Sequence, residues 1–408
     1  MTEVLSFANA LLPKSLLRDP DRLDGQSVGD CLNGDLTVRN GRIIGLSEPT
    51  QTHPPRLVMP PLAECHVHLD KCFTFSRLSY QGGDLSAAIE AQALDRAGWT
   101  AEDIRQRATR AVGDLLASGC RRLRTHVDWS YGPDAATPPL AWHVLAEVAE
   151  AFRGQAEIQL APLVSIEDLA DRATADAIAR VCAASSKVLG AFVFGQAEQA
   201  QGIENAFAVA KDHDLALDFH VDETLNPSFH GLELIADAAL AFRLDRPVLC
   251  GHACNLATKP EADRARIIDK LARAGITIAV LPTTNLYLQG RGDPMGRGMA
   301  PVRALQAGGV PVVVGTDNVE DAFFPLGRFD PRAALDLAVS VAHLDPPFEK
   351  YLPMITTSSG KAMGFNPSWI DQTDVKDLLV YDVASVANFI TSNTTPTPLR
   401  DALKGAKT

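Results

Sequence analysis

Two histidines one residue apart, His66 and His68, follow an apolar run from Leu57 to Leu62 that reads as a short buried strand bounded by prolines. Side chains two apart on a strand share a face, so both imidazoles aim at one point past its end. Two convergent neutral imidazoles are the natural start of a divalent transition-metal site. More polar groups stand where later apolar runs stop: His220 closes Leu215 to His220, His252 follows Val248-Leu249-Cys250-Gly251, and Asp317 follows Val312-Val313-Val314-Gly315-Thr316. Three histidines and one carboxylate, with a position left for water, match a catalytic metal site. Taken singly, each of His220, His252 and Asp317 is as readily a strand-end residue bonded to a loop; their joint placement is the argument. Glu223 lies three residues beyond His220. A carboxylate leaning over a metal whose bound water is acidified can carry a proton to a substrate nitrogen, and its alternative is a solvated loop acid. His126, in His126-Val127-Asp128, lacks a same-face partner and reads as pocket wall or as structural.

The elements that must position these residues alternate regularly from Leu57 onward. Thr100 followed by Asp103 reads as a helix N-cap and opens a helix through about Ala117. Strands are expected at 121–127, 156–164, 187–194, 215–220, 246–251, 276–281 and 310–314, separated by helical sequence near 140–152, 166–184, 203–212, 232–242, 261–274 and 300–307. Helical sequence at 333–341 and around Ala362 closes the set. The strands are almost wholly apolar, as parallel strands buried on both faces should be. Eight such units predict an α/β fold, a (β/α)8 TIM barrel, with its site at the C-terminal strand ends. Before it, Asp35 to Arg39 and Arg42 to Leu46 flank Asn40-Gly41, a strong hairpin signal. A hairpin this small needs a partner, and Lys376 to Tyr381 is strand-like. The expected organisation is therefore a small β-sandwich built from 1–56 and 366–408 beside a catalytic barrel at 57–365.

Composition narrows the function. A net charge of −12 without a basic cluster argues against nucleic acid. Seven cysteines, an odd number without Cys-x-x-Cys spacing, argue for reduced thiols rather than a disulfide framework or zinc knuckle. Met1-Thr2-Glu3-Val4-Leu5 lacks the basic-then-apolar block of a signal peptide, and no uncharged apolar run reaches membrane length. A cytoplasmic protein is expected.

With these residues assembled, the chain resembles the amidohydrolase superfamily, and within it the bacterial cytosine deaminase group, from the Asn40-Gly41 region to about Gly364. The motifs that carry the likeness are Glu64-Cys65-His66-Val67-His68-Leu69-Asp70, Arg124-Thr125-His126-Val127-Asp128, His220-Val221-Asp222-Glu223, Asn285 to Arg291, and Gly315-Thr316-Asp317-Asn318 with Phe324-Pro325-Leu326-Gly327. The resemblance implies one iron(II) or zinc ion held by His66, His68, His220 and Asp317. It implies that His252 hydrogen-bonds the attacking hydroxide, that Glu223 protonates the ring nitrogen, and that Asp317 passes a proton toward departing ammonia. Binuclear relatives use a carboxylated lysine on the fourth strand, and Val188 to Phe194 contains none.

Three positions depart from the cytosine deaminase pattern. Leu163 stands where a glutamine would grip the pyrimidine, Phe323 where a tryptophan is expected, and Asn318 where an aspartate is expected. Together with Gln289 these are the expected substrate-facing residues. The reaction implied is hydrolytic deamination of an aminated N-heterocycle, a pyrimidine, triazine or pterin-like ring, by metal-activated water with release of ammonia. Partners implied are that small molecule and water, with a homo-oligomer left open. Hydrolysis of a cyclic amide or an N-alkylamino substituent needs the same ligands, and a non-catalytic metal-binding barrel is the alternative from another class. The His-x-Glu and Pro-Cys-x-x-Cys pattern of nucleic-acid-editing deaminases is absent.

Overall fold

The structure, a computed structural model, describes residues 4–404 apart from 52, 80–81 and 131. The first three residues of the N-terminal stretch read above lie outside that range. Among the described residues, β-rich runs form fifteen strands in two sheets. The smaller sheet draws on β1 (Val4–Pro13), β2 (Gln26–Val28), β3 (Cys31–Arg39), β4 (Arg42–Ser47) and β5 (Arg56–Met59). The larger consists of β6 (Leu62–Val67), β7 (Cys120–Asp128), β8 (Glu157–Ser165), β9 (Val188–Val193), β10 (Ala216–Val221), β11 (Val248–His252), β12 (Thr277–Val280) and β13 (Val312–Val314). Two late strands, β14 (Leu379–Tyr381) and β15 (Thr397–Pro398), return to the smaller sheet.

The eight strands of the larger sheet are parallel and lie in sequence order. An isolated parallel bridge between Val67 and Asp317 brings the last strand end to the first, with Asp317 N donating to His66 O at 2.9 Å. This is the expected barrel. The helices lie outside it: α1 (Leu85–Arg96), α2 (Ala101–Ser118), α3 (Leu140–Ala151), α4 (Arg172–Ala183), α5 (Gln199–His213), α6 (Gly231–Phe242), α7 (Glu261–Ala274), α8 (Pro282–Leu288), α9 (Val302–Ala307), α10 (Pro331–Val341) and α11 (Thr357–Ala362). Alternation on β10 explains the split between core and site. Leu217 and Phe219 join the main core, where Phe219 stacks on Phe207 of α5, while Asp218 and His220 serve polar partners.

Several expectations need correction. The run Leu57 to Leu62 is not one strand ending at the histidines. Pro60 and Pro61 lack the N–H that a ladder needs, and they divide it. Arg56–Met59 joins the smaller sheet between β1 and β14, and Leu62–Val67 opens the barrel with His66 already inside it. The helical stretch expected from Ile166 begins as a short 3-10 turn at Asp168–Ala170. The α-helix starts at Arg172, where the Asp171 side chain accepts from Thr174 N. Helices α1 and α8 were not anticipated. Thr100 does cap α2, accepting from Asp103 N, and Gly119 ends it in the left-handed region at φ 98°. The Asn40-Gly41 turn joins β3 to β4 with both residues at positive φ.

The smaller sheet runs β15-β14-β5-β1-β3-β2, with β4 also paired to β3. It is one mixed sheet made from both ends of the chain, β14 reaching the N-terminal strands through β5.

Candidate active site

At the C-terminal strand ends the first ligand candidates converge. His66 and His68 place Nε2 at 3.6 and 3.3 Å from Asp317 Oδ1, and His220 Nε2 lies 3.2 Å from His68 Nε2. Metal–nitrogen bonds of about 2.0–2.1 Å put neighbouring tetrahedral ligand atoms roughly 3.3–3.4 Å apart, so these are spacings that ligands of one ion adopt. A register irregularity between Glu64 and Val67 re-aims β6 at this point. His66 and Asp317 are sealed from solvent, and both Asp317 carboxylate oxygens and both His66 ring nitrogens find no hydrogen-bond partner among the described residues. Such orphaned buried atoms are costly unless something else satisfies them; a divalent cation would.

Electrostatics points the same way. Burial holds His66, His68 and His220 well below the usual imidazole range, which leaves them neutral and able to ligate. Burial pushes the Asp317 carboxyl up to about 8, with Asp321 adding to the rise and Lys71 opposing it.

Glu223 and His252 border this cluster. Asn285 of α8 donates from Nδ2 to His252 Nδ1 at 2.9 Å and to Glu223 Oε1 at 3.3 Å. With Nδ1 accepting, the neutral ring carries its proton on Nε2. Burial pushes His252 down to about 3, so neutral is its resting form. Burial, and then the nearby Asp317, raise Glu223 well above the carboxylate range, against the opposing pull of Lys71 and Asn285. Asp222, His252 and Asp317 all take positive φ, at 50°, 68° and 60°. Non-glycine residues in that region cluster at functional sites because the turn re-directs a side chain at some backbone cost. Asp222 itself caps α6, accepting from Gly231 N and Leu232 N.

A cavity of about 400 Å³ opens over these groups. Leu163, Asn318 and Phe323 line it, as do His68, His220, Glu223, His252 and Asp317. Gln289 does not: its amide donates to the Glu223 carbonyl at 2.8 Å and holds the loop instead. His126 lies against the cluster, its ring centroid 4.1 Å from that of His66, and its Nε2 stands 3.2 Å from Asp218 Oδ1. Asp218 also receives Arg124 at 2.7 Å, so a fully buried charged group props His126 from below.

Sequence reasoning missed the far wall. Lys71, Arg96 and Asp128 line the cavity, and Leu85, Ile89, Gln92 and Arg96 present one face of α1 to it. Their spacing of four, three and four residues is a helical stripe. It was hidden because half of it is polar.

These observations meet independent comparisons. Residues 134–391 match the Amidohydrolase family. A pterin deaminase of Rhizobium rhizogenes (strain K84 / ATCC BAA-868) is 31% identical over 353 residues, covering 83% of this chain and 80% of that protein. The fold resembles that of 5-methylcytosine deaminase from Klebsiella pneumoniae liganded with phosphonocytosine, with a TM-score of 0.78 at 23% identity over 92% of this chain and 94% of that one. It also resembles N-isopropylammelide isopropylaminohydrolase from Burkholderia multivorans ATCC 17616, with a TM-score of 0.72 at 21% identity over 96% and 97%. The chain belongs to the amidohydrolase family, and its His/Asp cluster is a metal-binding site.

Proposed function

We infer that this protein is a hydrolytic deaminase of an aminated N-heterocycle, using one divalent ion, iron(II) or zinc, held by His66, His68, His220 and Asp317. The observation that carries the reading is the meeting of those four donor groups, His66 sealed beneath the cavity and the other three lining it, beside an acid, Glu223. The relationship to a pterin deaminase supports a heterocyclic amine as substrate. A bound divalent ion lowers the pKa of its water to near neutrality.

The chain's own residues supply the rest. Glu223, in its acid form, donates to the ring nitrogen beside the amino-bearing carbon, which makes that carbon electrophilic. His252 offers its Nε2 proton to an oxygen developing there, with Asn285 fixing the tautomer. Asp317 accepts a proton from water and passes it toward the departing amine. Leu163, Phe323 and Asn318 shape the pocket around the ring, and Gln289 sets the height of the Glu223 loop. Leucine at 163 offers a pyrimidine edge no hydrogen bond, which disfavours cytosine itself.

Seven free and buried cysteines fit the cytoplasm, where thiols stay reduced. Among the described residues no helix is long and apolar enough to cross a membrane.

An ammonia-release screen over aminopyrimidines, aminotriazines and aminopteridines, with iron(II), zinc and manganese preparations, tests the reading. Metal-dependent ammonia release, with the product carrying oxygen for nitrogen by mass, is expected. Release of an alkylamine or a ring-opened product from the same site would replace it.

A further inference from the structure

A second cavity, of about 580 Å³, lies at the end of the barrel opposite the catalytic mouth. Arg121, Arg122 and Glu157 line it from the first residues of β7 and β8, whose far ends supply Asp128 and Leu163 to the catalytic cavity. Lys376, Asp377 and Arg400 line it from the C-terminal segment that builds β14 and β15. The cavity therefore occupies the seam between the barrel and the smaller sheet. Four cations face two carboxylates there, in a chain whose net charge is −12.

Arg121 and Arg122 are neighbours on a strand, where successive side chains take opposite faces. Both nevertheless line this cavity. Arg121 folds back over the end of α2, its Nη1 donating to Leu116 O at 2.8 Å and to Cys120 O at 2.9 Å. Arg122 donates from Nε to Glu157 at 2.8 Å, and from Nη1 to Asn366 O at 2.8 Å and Ser368 Oγ at 3.2 Å. A guanidinium carries five N–H donors. These contacts leave Nε and Nη2 of Arg121, and Nη2 of Arg122, without a protein acceptor among the described residues. Arg121 is anchored by carbonyls alone, so no carboxylate neutralises it.

Two guanidinium groups fixed in place with unused N–H groups are pre-organised for an oxyanion, because the planar fork matches carboxylate and phosphate oxygens. The charge balance selects between the two. A phosphate monoester offers three oxygens and close to two negative charges, which answers two forks and the surplus of cations. A carboxylate offers two oxygens and one charge. The volume falls within the range of about 300–1,000 Å³ found for small-molecule sites, which leaves room for an organic group beside the phosphate.

We propose that this cavity binds the phosphate group of a small-molecule ligand, held by Arg121 and Arg122 with Lys376 and Arg400 at its rim, and that the ligand ties the smaller sheet to the barrel. The site is remote from the metal cluster, and the proposal stands apart from the deaminase reading.

The test titrates inorganic phosphate, glycerol 3-phosphate and succinate into the full chain by calorimetry at fixed ionic strength. One saturable site for glycerol 3-phosphate is expected, with succinate bound about tenfold more weakly. Arg121→Gln should weaken the ester by about tenfold, because charge-assisted hydrogen bonds are lost. Lys376 is exposed, so Lys376→Gln decides the matter if Arg121→Gln does not fold; it should weaken the ester by about threefold. Arg303→Gln removes the same charge from an exposed position outside the cavity and should leave binding unchanged. An ester bound more tightly than inorganic phosphate identifies the ligand as a phosphorylated metabolite, and equal binding identifies it as phosphate itself; both support the site. No saturable binding at millimolar concentration, succinate bound as tightly as the phosphates, or an equal loss in Arg303→Gln would overturn it. Saturating ester should also slow amide exchange at 379–381 and 397–398, since the ligand joins that segment to the barrel. Unchanged exchange there would refute the bridging role.

Discussion

Glu223 and Asp317 are both carboxylates deep in one cavity, yet the roles assigned to them differ because their surroundings differ. Asp317 faces two imidazoles at 3.3 and 3.6 Å, and Glu223 faces an amide at 3.3 Å. Glu223→Gln keeps the shape and the amide contact but removes the transferable proton. It should leave metal content at wild-type level, measured by elemental analysis, and lower kcat for ammonia release by about 10²–10⁴. Leu163→Gln introduces a donor and an acceptor into the cavity wall. It should raise kcat/KM for cytosine about tenfold, read by ammonia release, because a polar edge then finds partners. Asp317 was legible in the sequence because it stands where an apolar run stops, and Glu223 because it lies three residues past another such end, strand ends of a barrel sharing one mouth; Leu163 was singled out only through the family resemblance. Lys71 and Asp128, whose Nζ and Oδ1 lie 2.6 Å apart, stood beside the same motifs and were not read as a pair. Their meeting depends on how β7 and the segment after β6 lie side by side, which no local spacing reveals.

At the scale of elements, α1 is the piece that turns a metal cluster into a closed pocket. It rests on Ala88, packed with Leu288 of α8 and Ala322, and its Gln92 accepts from Ala322 N at 3.3 Å. Arg77 fastens its far end by reaching Asp95 and Asp103 at 2.7 Å each, which links α1 to α2. Arg77→Ala should therefore speed amide hydrogen exchange across 85–96 and raise KM severalfold with little change in kcat, since the substrate loses a wall rather than a reacting group. The barrel strands answer to a different constraint. Asp218 of β10 and Arg124 of β7 are both fully buried and pair at 2.7 Å. Removing one member strands the other, so Asp218→Ala should lower unfolding free energy by about 3–5 kcal/mol in urea titrations. Most strands were readable because burial on both faces makes them largely apolar, although β7 carries Arg121, Arg122 and Arg124. Helix α1 was not, because the face it turns inward carries Gln92 and Arg96 and breaks the apolar period.

Over the whole molecule, the two ends of the chain meet in one sheet beside the barrel. Tyr381 of β14 donates to the Ser118 carbonyl at the end of α2 at 2.9 Å, and Ile370 N donates to Leu16 O at 3.0 Å. The return of the C-terminal strand was foreseeable because an isolated hairpin needs a partner. Its route through Arg56–Met59 was not, because the apolar residues on either side of Pro60-Pro61 look continuous although the two prolines divide them between sheets. The cylinder has its own join, where the first and last staves touch through Val67 and Asp317 rather than along a full ladder. Two of the proposed ligands, His66 and Asp317, sit on opposite sides of that join, so an ion held by both would also act as a clasp for the hoop. Chelation should then loosen the protein unevenly: deuterium uptake should rise at 62–67 and 312–317 well before it rises at Val188–Val193, a stave that bears no ligand. Uniform uptake across all three segments would mean that the hoop holds without its clasp.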